Sequence, residues 1–181
     1  MTGIKIKNEM LCAVRAYLRY RLLKEKAPTL SADPIYNTRP GLFVTLHNHG
    51  ELRGCIGYIE GIRPLSRALF EMADAAAFRD PRFPALRAEE LEETDIEISL
   101  LSPLQKVDSY RDIEIGKHGM ILKKGMQQAV FLPQVATEQG WDLKTTLQHL
   151  CLKAGLPVDA FLKSKCEFYV FTAEVFGEKP E

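Results

Sequence analysis

The chain has 181 residues, 46% of them hydrophobic, with 24 Lys+Arg against 24 Asp+Glu. That length suits one core-forming domain, and the balanced charge argues against nonspecific nucleic-acid binding, which rests on phosphate neutralisation. No apolar run approaches a membrane span, no signal-peptide apolar region opens the chain, and Cys12, Cys55, Cys151 and Cys166 show no CxxC or zinc spacing, so a cytoplasmic chain with reduced thiols is expected.

Asn8 to about Lys26 reads as a helix. Met10, Leu11, Val14, Tyr17, Leu18 and Leu22 recur at three and four, and Pro28 is expected to stop it. Cys12 falls near this stripe and is expected in the core. Arg15, Arg19, Arg21 and Lys24 read as a solvated basic face. Residues 28–40 hold three prolines and read as a loop.

Gly41–Glu60 reads as a hairpin. Leu42, Val44 and Leu46 alternate with Phe43 and Thr45, and Leu52 and Ile56 alternate with Arg53, Cys55 and Gly57. Pairing residues whose numbers sum to 98 leaves Asn48-His49-Gly50 as a three-residue loop, with Gly50 left-handed. Leu42, Val44, Leu46, Leu52 and Ile56 then form a core face. Phe43, Thr45, His47, Glu51, Arg53, Cys55 and Gly57 share the other.

That second face has two readings. A guanidinium near Cys55 would favour thiolate over thiol, and glycines in a strand invite a close backbone approach. The alternative is a small packed cysteine between two glycines that admit a crossing helix.

Pro64 suits the first turn of a helix running to about Phe78, whose alanines would let it lie close on the hairpin's apolar side. The stiff loop Arg79-Asp80-Pro81-Arg82-Phe83-Pro84 also has two readings. Asp80 caps a turn with the arginines pairing locally, or the arginines form a preformed anion site. Asp95–Leu101 reads as a strand, with Glu97 and Ser99 opposite its apolar face and candidates to neighbour Arg53. Ile115–Leu122 bends into a strand that returns as Gln128–Leu132, and His118 sits between glycines at the bend. Asp142 looks like the N-cap of a helix over Leu143–Ala154 that buries Cys151 and leaves His149 outside the stripe. Glu167–Phe176 reads as one inner strand. Hairpins with helices between them make the class α+β.

Several ordered blocks carry a resemblance. Leu52-Arg53-Gly54-Cys55-Ile56-Gly57 resembles the signature hexapeptide of the AMMECR family, and Ala77–Leu86 resembles its second block. Glu97–Pro103, Gly116–Gly119 and Phe131–Val135 with Trp141-Asp142 resemble the next three. The resemblance covers nearly the whole chain. It implies a single AMMECR-like domain over residues 1–181, an antiparallel sheet flanked by helices, with a smaller second lobe at about 103–140. Bacterial and archaeal relatives are similar to protein A of the AmmeMemoRadiSam system, so it also implies a Memo-like protein and a radical S-adenosylmethionine enzyme as partners.

Two functions from different classes remain. In the first, an enzyme or enzyme component, Cys55 is a reactive thiol, Arg53 its electrostatic support and His118 the proton carrier. Gly54 and Gly57 would offer backbone N–H groups, and Arg79, Asp80, Arg82 and Ser99 would complete a site for a small anion. In the second, the same face is a non-catalytic binding or adaptor surface. A metal site from His47, His49 and Cys55 has only spacing behind it, and no metal is expected. Phosphate-loop and dinucleotide glycine patterns are absent, and no cofactor is indicated.

Overall fold

The computed structural model describes residues 2–163 and 165–178. The fold is mixed α+β, with two four-stranded sheets. The chain divides into two compact units, one formed by residues up to Leu101 together with those from Glu174, the other by residues 102–173. The second is a longer stretch than the sequence outlines for a lobe.

In the first unit, helix α1 (Ile4–Leu23) buries Met10, Leu11, Ala13, Val14 and Leu18. It stops one turn before Pro28, because Lys24 adopts a left-handed conformation and its N–H closes on the Tyr20 carbonyl. Cys12 is exposed, contrary to expectation; it lies off the buried stripe. The arginines of α1 are paired: Arg15 with Glu178, and Arg19 with Glu25 and Glu92.

Strands β1 (Gly41–Asn48) and β2 (Glu51–Tyr58) form the hairpin, and helix α2 (Leu65–Phe78) follows, with Pro64 just outside it. Strand β3 (Thr94–Leu101) pairs with β1 on the edge opposite β2. Leu42, Val44 and Leu46 of β1 and Ile96, Ile98 and Leu100 of β3 are buried in one core with α1 and α2. The period-two pattern of both strands is thus spent on one apolar face.

The second unit holds β4 (Gln105–Val107), β5 (Gly119–Lys124), β6 (Gln127–Phe131), α3 (Pro133–Glu138), α4 (Leu143–Lys153), α5 (Ala160–Lys163) and β7 (Glu167–Phe171). The sheet order is β4-β7-β5-β6. Met120, Leu122, Leu147, Leu150, Phe161, Phe168 and Val170 form its core, together with Cys151. The expected single strand over Glu167–Phe176 is two. It breaks at Thr172, and β8 (Ala173–Gly177) joins the first sheet, whose order is β2-β1-β3-β8.

Candidate functional site

A tight turn and a bulge set the geometry around Cys55. His49 and Gly50 both have left-handed φ, 51° and 83°, so a two-residue turn closes the hairpin in place of the expected three-residue loop. Val44 then pairs with Ile56, Thr45 with Cys55 and Leu46 with Gly54, and the register shifts so that His47 pairs with Leu52. Arg53 is the extra residue of this bulge, and a bulge re-aims its side chain.

Two expectations change as a result. Leu52 moves to the face of His47 and is 41% exposed rather than core. Arg53, only 9% exposed, donates from Nε and Nη2 to the Glu90 carboxylate at 2.8 and 3.2 Å. Arg53 holds that carboxyl below its usual range, helped by the Arg87 N–H. The guanidinium held beside Cys55 is that of Arg82.

Cys55 is half-buried. Its backbone N–H donates to Asp80 Oδ2 at 2.9 Å, and its carbonyl accepts from Arg82 Nη2 at 3.2 Å. Asp80, 4% exposed, also accepts from the Arg82 backbone N–H, Nε and Nη2 at 3.1, 3.0 and 2.7 Å. Arg82 holds the Asp80 carboxyl well below the carboxylate range. The Thr45 hydroxyl donates to Cys55 Sγ at 3.2 Å. Burial nevertheless pushes the thiol above its ordinary value, against the Thr45 hydrogen bond and the Arg82 charge.

Strand pairing extends the site sideways. Thr45 pairs with Cys55 on one side and Glu97 on the other, and Phe43 with Gly57 and Ser99. Glu97 and Ser99 therefore neighbour β1 residues, not Arg53. A Cβ on Gly54 would overlap the Ala76 carbonyl oxygen, and one on Gly57 would overlap the Leu42 carbonyl oxygen and the Phe43 ring. Gly54 is thus where α2 crosses the strand.

The other predicted residues go elsewhere. Arg79 pairs with Asp74 at 3.2 Å. His118 belongs to the second unit, where its Nδ1 accepts the Glu114 N–H at 3.1 Å. Its own N–H donates to the Glu114 carbonyl at 2.9 Å, so the imidazole closes a turn in which Gly116 is left-handed. His49 lies 3.1 Å from Glu93. Among the described residues, no group of three or more His, Cys, Asp or Glu could hold a metal ion, and no helix is long and apolar enough to cross a membrane.

The first unit thus gathers Cys55, Thr45, Glu97, Asp80 and Arg82. Thr45 and Glu90 escaped sequence reasoning as site residues. Thr45 shares a face with Cys55 in the expected hairpin, and the two-residue turn together with the bulge at Arg53 sets it opposite the thiol. Glu90, in an acidic stretch, carried no comparable signal.

The chain has relatives among known proteins. The chain matches the AMMECR1 family model over residues 11–176. It is similar to Protein MK0488 of Methanopyrus kandleri, 46% identical over 166 residues, covering 87% of this chain and 78% of the relative. Protein MJ0810 of Methanocaldococcus jannaschii is 42% identical over 172 residues, covering 91% and 86%. The crystal structure of the uncharacterized protein PH0010 from Pyrococcus horikoshii superposes with a TM-score of 0.80 at 35% identity, covering 94% of this chain and 90% of that one.

Proposed function

The chain belongs to the AMMECR1 family, and from that premise we propose that it acts as a recognition module rather than as a thiol catalyst. The sheet face carrying Cys55, Thr45 and Glu97 binds a partner, and the sulfur is not essential to that contact. The Memo-like protein and the radical S-adenosylmethionine enzyme implied by the resemblance are the proposed partners.

One observation carries this reading. Burial raises the Cys55 thiol above its ordinary value, which already lies above neutral pH for a free cysteine. The adjacent Arg82 is committed to Asp80, and Arg53 to Glu90. A thiol kept protonated in this way is a weak nucleophile.

Two measurements test it. Alkylation at pH 7 should modify Cys55 no faster than the exposed Cys12. A faster rate that levels off below pH 8 would instead support the catalytic reading of Cys55. Calorimetric titration with each proposed partner should give binding that Cys55→Ala retains and Glu97→Lys loses, with both variants folded by circular dichroism. Binding by neither partner would reject the recognition reading.

A further inference from the structure

A second site lies on the helical side of the first unit, apart from the residues around Cys55. Helices α1 and α2 flank a hollow of about 480 Å³, within the roughly 300–1,000 Å³ typical of small-molecule sites. Tyr17, Arg21, Arg67, Phe70, Asp74 and Arg79 line it. The Tyr17 and Phe70 rings stack with centroids 5.3 Å apart and planes 30° apart. The Arg21 guanidinium lies over the Tyr17 ring, 5.9 Å from its centroid.

The charges here do not cancel. Asp74 accepts a hydrogen bond from the Tyr17 hydroxyl at 3.1 Å and pairs with both Arg21 and Arg79. Glu71, also on the wall, pairs with Arg63 at 3.0 Å. Along the wall itself, the three guanidinium groups of Arg21, Arg67 and Arg79 therefore meet the two carboxylates of Glu71 and Asp74. Arg67 is exposed and, among the described residues, no carboxylate pairs with it.

We propose that the hollow binds a nucleoside monophosphate. A phosphate monoester is anionic at neutral pH, and the excess guanidinium on this wall favours an anion. Guanidinium forks suit phosphate oxygens. The Tyr17 and Phe70 rings line the hollow and offer aromatic surface for a base, and base–aromatic stacking tolerates different bases. An inorganic ion would fill only a fraction of the volume. Recognition here rests on side chains, so it needs no glycine-rich phosphate loop. It is independent of the reading of the Cys55 face.

Calorimetric titration of the full chain with AMP tests the proposal, with ribose 5-phosphate and adenosine as the two halves of the ligand. AMP should saturate with a submillimolar Kd, and each half should bind at least about tenfold more weakly, since each lost charge-assisted or stacking contact is worth about that factor. Arg67→Ala, at an exposed position, should weaken AMP about tenfold while leaving the melting temperature unchanged. Glu97→Lys should leave AMP binding intact, which separates this site from the partner face. No saturation at millimolar AMP, equal binding of ribose 5-phosphate and AMP, or an unchanged Kd in Arg67→Ala would each overturn the assignment.

Discussion

The Asp80 carboxylate accepts the backbone N–H of Cys55 at 2.9 Å while Arg82 grips both of its oxygens. One buried side chain thus ties the loop after α2 to the strand that carries the thiol. An edge strand has backbone groups to satisfy, and β2 is an edge of its sheet. Asp80 satisfies one of them with a charge-assisted bond, and Arg82 returns a donor to the Cys55 carbonyl.

Asp80→Asn should therefore destabilise the protein by about 2 kcal/mol, the scale of a hydrogen bond to a charged group. The expected fall in Tm is roughly 4–8 °C for a chain of this size, read by circular dichroism melting. An unchanged Tm would mean that the tie contributes nothing to stability.

Acid should act through the same carboxylate. Asp80 and Glu90 are both held below their ordinary values, by Arg82 and by Arg53 respectively. A group with a depressed folded-state pKa contributes stability above its unfolded pKa and loses it as pH falls through the folded value. Stability should thus be full at neutral pH and decline from about pH 4 downwards. In Asp80→Asn that decline should be shallower, as melts at a series of pH values between 2 and 5 would reveal.

Glu90→Ala removes the partner of a guanidinium that is only 9% exposed and whose Nη1 already has no partner among the described residues. Leaving a buried charge uncompensated costs about 3–5 kcal/mol. Urea titration should show the midpoint moving down accordingly, and Arg53→Met in the Glu90→Ala background should recover part of the loss.

Gly54→Ala tests the crossing of α2 over β2. The new methyl would overlap the Ala76 carbonyl oxygen, which is backbone and cannot swing aside. Overpacking of this kind costs about 3 kcal/mol. A midpoint in urea equal to that of the unsubstituted chain would show that the helix can retreat at little cost.

Periodicity carried much of the fold. The alternation of Leu42, Val44 and Leu46 and of Ile96, Ile98 and Leu100 located the core face, and the Asp142 cap marked the start of α4, where its side chain accepts the Thr145 N–H at 2.7 Å. The turn was harder, because both His49 and Gly50 take left-handed backbone and only glycine advertises that. A three-residue loop without the bulge sets Cys55 opposite Phe43, whereas the two-residue turn and the bulge together bring Thr45, the donor to its sulfur, opposite it. The bulge at Arg53 was equally silent, since nothing in a hexapeptide announces an extra residue. Arg53 beside Cys55 in sequence therefore became Arg53 against Glu90 in space. Of the two readings of Arg79-Asp80-Pro81-Arg82, local pairing accounts for Asp80 and Arg82, while Arg79 reaches Asp74 on α2.

The break at Thr172 has a consequence for biogenesis. Strand β8 lies beside β3 in the first sheet, although its residues from Glu174 on are translated after every residue of the second unit. On the ribosome, residues 102–173 can emerge and condense while the earlier sheet still exposes an unpaired border at β3. A nascent chain paused before Glu174 should therefore be more prone to self-association than the released protein, because unpaired strand borders invite intermolecular pairing.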